Sequence, residues 1–176
     1  MKSTSRKYML GIPGVSFLYI KKELAEQLNP RVTGWLGQDP AASSEIYNPV
    51  FAVGTRRFET GTPSFISAYA AYEALKLLLD VGVGTIETYL KELTQFSIHY
   101  GKEKGLNLIG PFSADERTSL ISFYVEAASK VEGMLRDKEI IVSARKDVIR
   151  IAPHFYNNKD DIKYAIDELA ILANGD

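Results

Sequence analysis

An α+β fold, in which helices cover one face of a small and mostly antiparallel sheet, is predicted by three features of this 176-residue chain. Two long apolar stretches, 63–79 and 85–104, read as helices, and a third helix follows residue 158. Short runs rich in β-branched residues, at 118–125, 139–143 and 148–152, read as strands. After residue 55 the order is helix, helix, strand, helix, strand, strand, helix, with the last two strands joined by a tight charged turn at 144–147.

Apolar residues make up 45% of the chain and charged residues 24%, the balance of a globular protein able to bury a core. A net charge of -1 gives no general electrostatic reason to bind nucleic acid or an anionic membrane, so neither is expected as a partner. With no cysteine, disulfides, thiolate metal sites and sulfur storage on a protein thiol are excluded, and a cytoplasmic location is expected. Lys2, Arg6 and Lys7 before an apolar stretch imitate a signal peptide. Gly11, Pro13 and Gly14 interrupt that stretch, and Lys21, Lys22 and Glu23 stand where a cleavage site would be, so none is expected.

Val15 to Ile20, bounded by Pro13 and Gly14, reads as a buried strand, and Lys22 to Leu28 as a short helix. Asn29 to Thr55 is a long loop punctuated by Pro30, Gly34, Gly37, Pro40, Pro49 and Gly54. The helix from Pro63 to Leu79 is apolar on nearly every side, with Ala68, Ala70, Ala71 and Ala74 permitting close approach, so a central position is expected. In the helix Thr85 to Lys104, residues Ile86, Tyr89, Leu90, Leu93, Phe96 and Tyr100 form one stripe, and Gly105 ends it. His99 lies off that stripe and reads as a solvated surface group. A strand, Thr118 to Val125, and a helix, Glu126 to Arg136, precede the last two strands. Asn158 caps the final helix, with Asp160 and Asp161 in its positive first turn and Ile162, Ala165, Ile166 and Leu169 on its buried face.

Three places hold candidate chemistry. In Arg57-Phe58-Glu59-Thr60-Gly61-Thr62-Pro63-Ser64, Gly61 frees the backbone, Thr62 suits an N-cap and Pro63 the first helical position. That corner can hold a phosphate, or can simply be a well-capped helix. On the strand at 148–152, Arg150 shares a face with Val148 and Ala152, while Ile149 and Ile151 take the other. A guanidinium between largely apolar faces needs an anion, either a structural partner such as Glu59 or Glu168 or a ligand. Lys7 heads the run Tyr8-Met9-Leu10-Gly11-Ile12-Pro13-Gly14. A lysine of ordinary pKa, about 10.4, is a poor nucleophile unless desolvated or placed near positive charge. Trp35, in Gly34-Trp35-Leu36-Gly37, suits either a hydrophobic anchor or a loop beside a site. His154, after Pro153, is expected to satisfy a backbone group.

These segments, in this order, resemble the class V family of pyridoxal-phosphate enzymes, which includes aminotransferases, cysteine desulfurases, kynureninases and epimerases. The resemblance makes Lys7 the Schiff-base lysine before its turn and strand, and Gly61 and Thr62 the contacts to the cofactor phosphate of a neighbouring subunit. It makes Arg150, in a segment similar to the family's Arg-x-x-x-x-x-Tyr-Asn, the anchor of the substrate α-carboxylate. Trp35 falls in a loop similar to one beside the family's active site. The implied cofactor is pyridoxal 5'-phosphate, and the implied fold is the small C-terminal domain of a fold-type I enzyme with one strand left from the large domain. Residues 1–55 would be the remnant of the large domain and its loop, and 56–176 the small domain.

The family's aspartate for the pyridine nitrogen, its stacked ring and most of its phosphate grip lie before the lysine and are not encoded here. Activity is therefore expected to need a longer parental chain or a companion polypeptide, and association as a homodimer is expected. Without cysteine a desulfurase is disfavoured, leaving transamination, epimerisation or lyase chemistry on an amino acid. The alternative is a non-catalytic, dimerising interaction module with Trp35, Tyr47 and Phe51 as anchors.

Overall fold

The computed structural model describes residues 2–39 and 50–175, which form two compact units, Met1–Asp80 and Val81–Asp176. Tyr47, Pro40 and Pro49 lie outside the described residues. A division at 55/56 would fall inside the first unit, because the segment after it packs back on earlier residues.

In the first unit, β1 (Lys2–Thr4) and β2 (Ser16–Leu18) form an antiparallel ribbon in which Ser3 faces Phe17. The expected strand Val15 to Ile20 is thus shorter, and it is not buried: Phe17, Leu18 and Tyr19 are exposed. A two-stranded ribbon buries apolar side chains only under a second layer, and the described residues supply none. Helix α1 (Lys22–Gln27) follows as expected, burying Ala25.

Single 3-10 turns at Trp35–Gly37 and Gly54–Phe58 organise the loop that follows. Arg57 fastens it. Its Nε donates to the Ala52 carbonyl at 3.1 Å and its Nη1 to the carbonyls of Glu26 and Leu28 at 3.3 and 3.2 Å, so one guanidinium caps the end of α1.

Helix α2 (Phe65–Val81) is not central. Only Ser67, Ala71 and Ala74, a stripe of small residues, are buried, while Phe65, Ile66, Tyr69 and Tyr72 are exposed. The cap also differs. Ser64 closes the first turn, its Oγ accepting from Ser67 N at 3.4 Å and its carbonyl from Ala68 N at 2.9 Å, which leaves Thr62 and Pro63 ahead of the helix.

The second unit matches the predicted α+β layer. Four antiparallel strands run in the order β3 (Asn107–Leu108), β4 (Ile121–Tyr124), β6 (Val148–Ile151), β5 (Ser143–Ala144). The core faces of β4 and β6 pair Ile121 with Ile151 and Phe123 with Ile149. They are covered by α3 (Val83–Glu103), α4 (Ala128–Arg136) and α5 (Lys159–Asn174) through Leu93, Ile98, Leu135, Ile166 and Leu169.

On α3 the buried set is Leu93, Thr94, Ser97, Ile98 and Gly101, rotated from the expected stripe because Ile98 is fully buried and Tyr89 and Tyr100 are not. Gly105, at φ 82°, ends the helix as predicted. His99 is exposed, with Nε2 3.0 Å from Gln95 Nε2. The capping box at Asn158 and Asp161 is complete. The 139–143 strand shrinks to Ser143–Ala144, and its hairpin closes through paired bonds between Arg145 and Val148.

Candidate functional site

Lys7 stands in the loop of the β1–β2 ribbon, and Ser5 shapes that loop. Fully buried, Ser5 has its Oγ 3.1 Å from the Ile12 carbonyl and 2.9 Å from that of Val15, while its own carbonyl accepts from Gly11 N at 2.8 Å. The Lys7 carbonyl accepts from Leu10 N at 2.9 Å, closing a tight turn in which Leu10 adopts φ 56°. The side chain of Lys7 is exposed, so this fold alone does not desolvate its amine.

The same loop is tied to the start of α2. Ser67 Oγ donates to the Pro13 carbonyl at 2.6 Å and lies 2.8 Å from Ser64 Oγ, and a Cβ on Gly14 would meet Ser67 Oγ at 2.5 Å. Gly61 and Thr62 precede this helix start.

Among the described residues, a Cβ on Gly61 would meet only Trp35 Nε1, at 3.5 Å. The Trp35 turn is held against this segment by two close glycine contacts: a Cβ on Gly34 would clash with the Thr60 carbonyl, and one on Gly37 would lie 2.8 Å from the carbonyls of Arg57 and Glu59. Trp35, 47% exposed, thus belongs to the Gly61 corner, whereas Phe51 is half-buried and bridged to Gln38.

Arg150 belongs to the second unit, on the sheet face opposite the core. Cross-strand register sets Ser122 on one side of it and Ser143 on the other, so the face is hydroxyl-lined there rather than apolar. Among the described residues no carboxylate pairs with it. Glu168, one of the two partners considered, sits 2.8 Å from Lys138 Nζ. Arg150 Nε is buried without a hydrogen-bond partner, an arrangement suited to an incoming anion and costly without one.

His154 is buried and its Nδ1 accepts from Phe155 N at 2.9 Å, a backbone role as expected. Ser5, Ser67 and Arg57 escaped sequence reasoning, because their partners are carbonyls, which leave no side-chain signature. The serine pair flanking Arg150 needed the strand register. No group of three or more metal-ligating side chains occurs among the described residues.

The family described as aminotransferase class V matches residues 1–164. An uncharacterized aminotransferase, YcbU, of Bacillus subtilis (strain 168) is 43% identical over 166 residues, covering 94% of this chain and 43% of that protein. Kynureninase of Deinococcus radiodurans is 29% identical, covering 94% of this chain and 42% of its own. Among solved structures, the apo cysteine desulfurase from Thermococcus onnurineus NA1 gives a TM-score of 0.85 at 20% identity, over 99% of this chain and 46% of that one. A complex of the cystine C-S lyase C-DES with cysteine persulfide gives 0.83 at 22% identity, over 97% and 45%. The chain spans less than half the length of the relatives it matches.

Proposed function

This chain belongs to the class V aminotransferase family, and from that membership we propose that it is the lysine strand and small domain of an enzyme acting on an amino acid. Its cofactor is pyridoxal phosphate, which supplies an electron sink that acidifies the substrate's α-proton. Lys7 holds the cofactor through its amine and moves the proton at the substrate α-carbon. Gly61 and Thr62 offer a backbone amide and a hydroxyl to a phosphate, across a homodimer. Arg150 grips the α-carboxylate with two parallel hydrogen bonds.

The observation that carries this reading is Arg150 itself: a partly buried guanidinium, flanked by Ser122 and Ser143, with a buried, unpartnered Nε. Lys7 lies exposed in this unit, so shielding its amine from water falls to the remaining half of the family fold, on the same polypeptide or on a companion. With no cysteine to accept sulfur, the chemistry assigned is transamination, epimerisation or lyase cleavage rather than thiol-dependent desulfuration.

Titration with pyridoxal phosphate of the chain joined to, or mixed with, a polypeptide carrying the remaining half of the family fold, followed by borohydride reduction and peptide mapping, tests the assignment. The label is expected on Lys7, and to be lost in Lys7→Ala. Labelling scattered over surface lysines would favour a second reading, a non-catalytic interaction module, for which the exposure of Trp35 and of the aromatic face of α2 speaks.

A further inference from the structure

A second arginine of the Val81–Asp176 unit carries a charge that nothing in the family reading uses. Arg117 follows the 3-10 turn Ala114–Glu116 and is half-buried. Its Nη1 donates to Thr94 Oγ1 at 2.5 Å and its Nη2 to Gln95 Oε1 at 2.8 Å. Both acceptors are neutral, and Arg117 Nε is buried without a partner. Thr94 is buried and donates to the Leu90 carbonyl at 2.7 Å, so the guanidinium is pinned by α3 rather than left free to swing.

Among the described residues no ion pair reaches Arg117. The carboxylates closest in chemistry are already engaged: Glu87 lies 3.0 Å and Asp115 3.9 Å from Lys91 Nζ. Burial lowers the guanidinium's pKa from its usual value, the direction expected when desolvation is not balanced by an opposite charge.

Beside this cation lies a cavity of about 390 Å³, walled by Val83, Ile86 and Leu90 and edged by Thr118 and by Glu87 and Lys91, which pair with each other at 3.0 Å. That is within the size range of small-ligand sites, which are mostly apolar with a few placed polar groups, and once Glu87 and Lys91 offset each other the charge left uncompensated here is that of Arg117. A cation fixed without a counter-charge beside an apolar hollow is complementary to one ligand chemistry, an anionic head on a short hydrocarbon tail.

We infer that this cavity binds a small amphipathic carboxylate, with its head at Arg117 and its tail against Val83, Ile86 and Leu90. The site lies wholly within the second unit and does not depend on the roles proposed for Lys7 and Arg150.

Hexanoate is the probe, titrated into the full chain and followed by isothermal calorimetry and by the Arg117 Nε–H resonance. Saturable binding of one molecule per chain is expected, with the Arg117 signal shifting and hexanol binding at least about tenfold more weakly for want of the charge. Arg117→Gln is expected to weaken hexanoate by about tenfold or more. Ile86→Trp, which fills the hollow without touching the guanidinium, is expected to abolish binding and covers the case in which Arg117→Gln does not fold. The inference is overturned if hexanoate does not saturate, if hexanol binds equally well, or if folded Ile86→Trp binds hexanoate like the parent.

Discussion

Gly101 and Gly133 both sit inside helices, and elementary helix propensity says the same of each: alanine should stabilise by about 1 kcal/mol. Packing separates them. A Cβ at Gly101 would overlap Cζ of Phe123 and lie 2.7 Å from its Cε1, whereas a Cβ at Gly133 would meet none of the described residues within 4 Å. Ordinary carbon contacts need roughly 3.5 Å, so α3 or the ring must yield by most of an ångström. Phe123 has 0% exposure and pairs with Ile149 at the centre of the sheet, so it has nowhere to go.

Overpacking of this kind costs about 1–3 kcal/mol. With two ring atoms encroached upon, the upper half of that range applies, and after the propensity gain Gly101→Ala should lose about 1–2 kcal/mol. For a unit of about 100 residues that lowers the melting temperature by roughly 5–15 °C. Gly133→Ala should instead gain about 0.5–1 kcal/mol. Thermal circular dichroism gives the shifts, and amide exchange in β4 and β6 assigns the Gly101 loss to this layer. If Gly101→Ala proves as stable as the parent, α3 does not cross Phe123 as described.

Two further outcomes are accessible with the same chain. Asn158→Ala removes the oxygen that accepts from both Asp160 N and Asp161 N, and should cost about 1 kcal/mol by denaturant titration, with fraying confined to the first turn of α5. Asp167 is held below the usual carboxylate range by Lys104, helped by the Tyr100 hydroxyl, and Lys104 is raised in turn by Asp167. The Asp167 contribution is complete above its unfolded pKa and should disappear as pH falls through its depressed folded value. The Lys104 contribution should disappear as pH rises through its raised one. Melting curves against pH should lose both limbs in Asp167→Asn, and an unchanged acid limb there would refute the pairing.

Local rules reached the parts of the fold whose partners are close in sequence. The α5 start was legible because Asn158 and Asp161 are three residues apart and cap one another, and the 143–151 hairpin because only Arg145, Lys146 and Asp147 separate its strands. The burial of α2 was not legible. Apolar side chains on every face announce that something covers a helix, but not which chain segment does so, and here only the Ser67, Ala71, Ala74 stripe is covered by described residues. Strands β1 and β3, three and two residues long, carry too little periodicity to register. At the candidate site, residue identity came from the order of segments, while the serines beside Arg150 are set by strand register and two of the three carbonyls that hold Arg57, those of Glu26 and Leu28, lie 31 and 29 residues away. Arg117 left no signal in the sequence, because its partners Thr94 and Gln95 lie 23 and 22 residues away on α3.

The hydroxyl of Ser67 has a wider consequence than a single bond. It belongs to the opening turn of α2 yet donates to the carbonyl of Pro13, so the helix start and the hairpin loop share one anchor. Rearranging the turn at Ser64 would disturb the Ser67 bond to Pro13, in the same loop that carries Lys7. Threonine at residue 67 would keep the anchor while crowding Gly14, offering a graded way to stiffen that linkage without altering either of the groups it connects.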